Sequence, residues 1–250
     1  MPPKKSEKLP FCCRIPFGAQ PLLTEGIPLQ LNEGFVESFR MEEGQPHYAF
    51  LVAVDKAALA PLFDALVAEL PSPAYAILEL PPEPDEEEAP VKAVDEARSD
   101  IYISLHFEKR ELLASLAPYQ LQLLHDGMVG LGIAASPPGA PAAQVREVFV
   151  DDHQLIHIHD SVAEPWRTLL KKAGLKPVEA LHTVDMVPHI HQALDQFSDD
   201  EIPEALRGRP WNELIFEEFL GNLIEALHFE RQGSSEADDH GAHVALETLH

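Results

Sequence analysis

The strongest constraint on the fold is a change of hydrophobic period that occurs twice. Tyr48 to Val54 is a near-continuous apolar run, the pattern of a strand covered on both faces. Asp55 follows at an N-cap position. Leu59, Leu62, Phe63, Leu66, Val67 and Leu70 then recur at helical spacing. Pro71 and Pro73 end that helix, and Ala74 to Leu80 reads as a second strand. The pattern returns 54 residues later: Tyr48 aligns with Tyr102, Leu59 with Leu113, Leu70 with Leu124 and Ile77 with Leu131. Such alternation predicts an α/β fold in which repeated β-α-β units form a mixed sheet with packed helices. The units are 48–80 and 102–134, read as an internal duplication. A ferredoxin-like pairing of the halves and a continuous open sheet both satisfy it.

The flanking segments are ordered around this body, taken as residues 48–231. Residues 1–47 read as a Pro-rich N-terminal arm that supplies one edge strand, with Gly18, Gly26, Gly34 and Gly44 as turns. The acidic run Asp85 to Glu88, bracketed by prolines, reads as a solvated linker. Glu147 to Val150 and Leu155 to His159 read as paired strands with Asp151, Asp152 and His153 in their turn. Ser161 is placed as the cap of a helix carrying Trp166, Leu169 and Leu170 and ending at Gly174, with Val178 to Val187 as a returning strand. Trp211 to Arg231 has the clearest amphipathic stripe and is predicted helical over its whole length. Residues 232–250 are polar and predicted to be disordered.

Charge limits the partners. Against 18 Lys and Arg stand 42 Asp and Glu, a formal net charge of −24. That field repels nucleic-acid phosphates and anionic lipid and attracts basic surfaces. No apolar run approaches the ~20 residues of a membrane-spanning helix. Pro10, Arg14 and Pro16 interrupt any signal-peptide core near the N-terminus. The only cysteines, Cys12 and Cys13, are adjacent and read as thiols in a reducing, cytoplasmic setting.

Histidine placement is the one chemical pattern that stands out. His157 and His159 in LIHIHD, and His189 and His191 in VPHIH, are each two apart, so each pair shares one face of a strand. Two such strands side by side would offer four imidazoles to a divalent transition metal, and these four are the candidate ligands. Equally, the histidines can face water while Ile156, Ile158 and Ile190 face the core. The sequence lacks HExxH, paired CxxC and GxSxG signatures. GMVGLG (Gly127, Gly130, Gly132) leads into a strand rather than into a helix, so it is assigned to close helix–strand packing rather than phosphate binding.

Two functions of different class follow. The first is a non-enzymatic, cofactor-free acidic protein of the inhibitor or adaptor kind, engaging a basic protein or a second copy of itself. The second is a metal-dependent hydrolase built on the two HxH pairs, with Asp160 or Asp185 as base. A small-molecule sensor using the sheet crevice is a third, weaker reading.

Overall fold

The computed structural model describes residues 11, 14–22, 30–42, 44–81, 99–136, 144–194, 202, 204 and 213–235. Cys12, Cys13, the acidic linker, Trp211 and residues 236–250 lie outside the described residues. From the N-terminus come β1 (Ala19–Pro21), the hairpin β2 (Gly34–Glu42) and β3 (Gln45–Ala53), α1 (Lys56–Ala68) and β4 (Tyr75–Leu80). Next are β5 (Ser99–Ile103), α2 (Lys109–Leu123), β6 (Gly130–Ala135), β7 (Arg146–Val150), β8 (Ile156–Asp160) and α3 (Glu164–Lys172). The chain closes with β9 (His189–His191), α4 (Glu213–Leu227) and β10 (Glu230–Ser235).

Eight strands form one open sheet in the order β10-β5-β4-β6-β7-β8-β3-β2, and β1 pairs with β9 in a separate ribbon. Every neighbouring pair is antiparallel. The expected mixed sheet of β-α-β units is therefore replaced. The strands flanking α1 are separated by β6, β7 and β8, and those flanking α2 by β4. Crossover helices were legible; which strands would fill the gaps between their ends was not, because hairpin partners come from elsewhere in the chain.

Alternation along each strand sends one set of side chains to the helices. Phe50, Val52, Leu78, Leu131, Ile133, Val148, Val150, Ile156 and Ile158 meet Leu59, Phe63, Leu66, Leu112, Leu116, Trp166, Leu170, Leu223 and Leu227 in a single core. Asp55 caps α1, its Oδ1 accepting from the Ala57 N–H at 2.9 Å, while its other oxygen pairs with Arg14. Helix α3 starts later than expected. Ala163 occupies its N-cap, and Ser161 instead donates to Asp160 at 3.4 Å. Asp160 accepts from Trp166 Nε1 at 2.7 Å and from Val162 N–H at 3.1 Å on the helix-covered face. Gly174 ends α3 at φ +87°.

Two further expectations are corrected. Val178 to Val187 is not a strand; a single bridge at Pro177 precedes a 3₁₀ turn at Val184–Met186. Helix α4 stops at Leu227, His228 takes φ +50°, and the chain reverses into β10, so residues 232–235 belong to an edge strand. Among the described residues no helix is long and apolar enough to cross a membrane.

Candidate metal centre

The opposite face of the sheet carries His157, His159, Glu79 and Glu147 beside a smaller apolar cluster of Tyr75, Ile77, Ile101, Ala134 and Phe149. At one end Ala53, Leu155 and Leu181, with Phe11, Val36, Leu51 and Val178, form a small apolar cluster that seats the arm and the segment after α3 on this face. The β7–β8 turn projects beside it. Asp151 shapes that turn, its Oδ1 accepting from His153 N–H at 3.0 Å and Leu155 N–H at 2.8 Å. Gln154 adopts φ +56°, and its buried amide holds three strands of chain together. Its Oε1 accepts from Ala19 N–H at 3.2 Å, and its Nε2 donates to the Asp126 carbonyl at 3.2 Å and the Asp152 carbonyl at 2.9 Å.

The β1–β9 ribbon brings His189 and His191 to this turn. A Cβ at Gly127 would lie 2.2 Å from the Gly18 carbonyl oxygen, so only two glycines permit this approach. Gly18 O accepts from Gln192 N–H at 2.8 Å, and Gly127 N–H donates to Gln192 O at 3.1 Å.

His153, His189 and His191 converge. His189 Nε2 lies 3.1 Å from His153 Nε2 and 3.3 Å from His191 Nε2. Each Nδ1 faces an oxygen: Asp152 Oδ1 at 2.8 Å for His153, Val187 O at 2.7 Å for His189, and Gly127 O at 2.8 Å for His191. Carbonyls and ionised carboxylates only accept, so each Nδ1 carries a proton, and each Nε2 is left to a second proton or to a metal ion. Unscreened lone pairs facing one another repel, and a cation among them removes that repulsion. Tetrahedral bonds of ~2.0–2.1 Å would set ligand nitrogens about 3.3 Å apart, close to the spacing found. Second-sphere acceptors behind each ring are the usual support of metal-bound imidazoles. Three ligands leave one position open, the arrangement associated with catalytic rather than structural sites.

Without a metal, a proton competes for the same ring nitrogen of His153. Burial opposes charge on His153, but its bond to Asp152 and the charges of Asp152, Asp151 and Asp185 outweigh this and raise it to about 9. Burial also disfavours the Asp152 carboxylate, yet the His153 bond and the charges of His153 and His191 hold it below the usual range. The site stays reachable by water, with His153 and His191 side chains 21% and 28% exposed. A shallow cleft, about 320 Å³ counted out to solvent, borders His153 and is lined by Ile15, Pro16, Leu31, Leu155 and Val184.

The four candidate ligands are divided by the fold. His189 and His191 enter the cluster, whereas His157 and His159 point from β8 to other partners. His157 Nε2 pairs with Asp151 Oδ2 at 2.8 Å, and His159 Nδ1 lies 3.2 Å from His47 Nε2. Burial opposes protonation of His157, but Asp151, Glu147 and Glu79 together raise its pKa. Burial pushes Glu147 up to about 7 despite His157, and Glu79 up to about 6. Of the two candidate bases, Asp160 is 1% exposed on the far face, held by Trp166, while Asp185 is exposed and acts on His153. Sequence reasoning missed His153 and Asp152 as site residues. Their only local signal is the DDH triplet in a hairpin turn. The glycines of GMVGLG serve neither phosphate nor helix. A Cβ at Gly130 or Gly132 would reach the Phe149 ring at 2.5 and 2.6 Å, so Phe149 occupies their space.

No protein-family model matches the chain, and no curated protein or solved structure shows significant similarity to it, so the functional reading rests on this geometry.

Proposed function

We propose that the protein is a metal-dependent hydrolytic enzyme whose divalent transition ion, most simply zinc, is held by His153, His189 and His191. The observation that carries this reading is the Nε2 spacing of 3.1 and 3.3 Å with every Nδ1 turned to an acceptor. The ion would supply a nucleophilic water for a carbonyl carbon, and Asp185 would take up that water's proton and return it to the leaving group as its bond breaks. Asp152 positions two ligands, since its Oδ2 also lies 3.4 Å from His191 Nδ1. Elemental analysis of untagged protein, purified without chelator, tests this. About one equivalent of metal is expected, lost in His153→Ala and retained in His157→Ala and His159→Ala. Metal-free protein that also fails to bind added zinc overturns the reading.

A second reading, an acidic cytoplasmic protein that engages a basic partner, is favoured by the net charge of −24 and by one sheet edge. The nine-residue edge strand β2 pairs without a bulge and leaves Phe39 and Met41 55% and 59% exposed. The segment at Lys176–Val178 occupies the outer edge at Phe35, and the part of the edge beyond it is a template for an added strand. Capture at low salt that is lost in Phe39→Lys supports it; capture unchanged in that variant does not.

A further inference from the structure

We infer that the open position of this centre serves substrates that are uncharged or cationic at the reacting group, amides and esters, and rejects phosphate esters and free carboxylates. The inference rests on the metal reading above and names the substrate class of the same site. Its basis is the set of charges around the ligands. Among the described residues, carboxylates surround His153: Asp152 in contact with its ring, Asp151 from the same turn, and Asp185 from the 3₁₀ turn. Glu79, on β4, acts in turn on Asp151 and Asp152. Asp151 is also bound by His157, at 2.8 Å. With Asp151 paired to His157, Asp152 and Asp185 would balance a divalent ion, so the centre does not present the net positive field that holds an anionic group. Sites that recognise phosphate or carboxylate supply arginine, lysine or a helix N-terminus for the second and third oxygen. Here Asp152 lies against two of the rings, and the cleft beside His153 is lined by apolar side chains such as Ile15, Leu31 and Leu155. A neutral carbonyl would coordinate through one oxygen and lay an apolar portion against that cleft.

Cobalt(II) offers a readout that needs no substrate, because its visible d–d bands report both ligation by the three histidines and occupation of the open position. The cobalt-loaded full chain would be titrated with imidazole, a neutral ligand, and with azide and phosphate, which are anions. Imidazole is expected to shift the bands at concentrations at least tenfold below those needed for either anion, and added salt should narrow the gap. Asp185→Lys, at an exposed position outside the ligand set, should keep the cobalt bands and strengthen azide binding about tenfold. Azide or phosphate binding as tightly as imidazole in the parent protein, with no response to Asp185→Lys, overturns the substrate class while leaving the metal centre intact. Failure of cobalt to give bands that disappear in His153→Ala overturns the metal reading itself, so the two failures are told apart.

Discussion

Asp152 orients two of the three imidazoles, although it is not among the proposed ligands. One oxygen fixes the His153 ring and the other lies beside His191. Asp152→Asn keeps the shape but loses the charge and one acceptor, so zinc affinity should fall ~10–100-fold, measured by competition with a chelating dye. Glu147 gives a second residue-scale prediction. It is half-buried and raised to about 7, so it binds its proton more tightly in the folded than in the unfolded chain. Its contribution to stability is full below the unfolded value of ~4.5 and is lost as pH rises through 7. Glu147→Gln should therefore gain on the parent protein between those values, by on the order of 1–2 kcal/mol after allowing for partial solvent access. Urea melts at pH 4.5 and pH 8 check the sign; an equal difference at both would refute it. At this scale the sequence was half legible. HxH spacing places two rings on one face wherever the segment is extended, which is why His189 and His191 could be paired. Nothing in that spacing reveals that a turn 36 residues upstream supplies the third ring.

Element by element, local signals were the readable ones. Asp55, at the start of a helical period, does cap α1, and its second oxygen is tied to Arg14. Removing both interactions in Asp55→Ala should lower stability by about 1–2 kcal/mol in denaturant titration. The parallel case, Ser161, failed because Asp160 turns back to Trp166 and the helix begins two residues later, a contact that no local rule contains. Strand identity was legible from period; sheet order was not. Leu78 and Leu131 face each other across β4 and β6, though the β-α-β reading would pair each with a different strand. Gly132 shows the same limit. Its place in a glycine-rich stretch predicts close packing of a helix on a strand, yet the space of its missing side chain is filled by Phe149 from the neighbouring strand β7. Gly132→Ala should force that ring to move and cost roughly 1–3 kcal/mol, since overpacking a filled site strains its neighbours.

For the whole molecule, the centre sits where separate pieces of chain meet. His153 comes from the β7–β8 turn of the main sheet, His189 and His191 from the ribbon, and the ribbon's other strand from the N-terminal arm. An ion at the three Nε2 atoms would thus fasten the arm to the sheet as well as complete the site. Binding only to the folded chain, zinc at a thousandfold excess over Kd should add about 4 kcal/mol of stability. The gain need not be uniform. Amides of the large sheet are held by ladders and a core that do not touch the centre, whereas the ribbon depends on short β1–β9 pairing. The bonds to follow are Leu22 N–H to Pro188 O at 2.7 Å and Gln192 N–H to Gly18 O at 2.8 Å. Hydrogen exchange should slow at Leu22 and Gln192 on adding zinc and change little at Leu78 or Ile133, because only the former open by local separation of the ribbon. His153→Ala should remove the difference while leaving the ribbon paired. Slowing that is spread evenly over sheet and ribbon would mean instead that the ion stabilises only the global folding equilibrium, and the arm is not fastened by it.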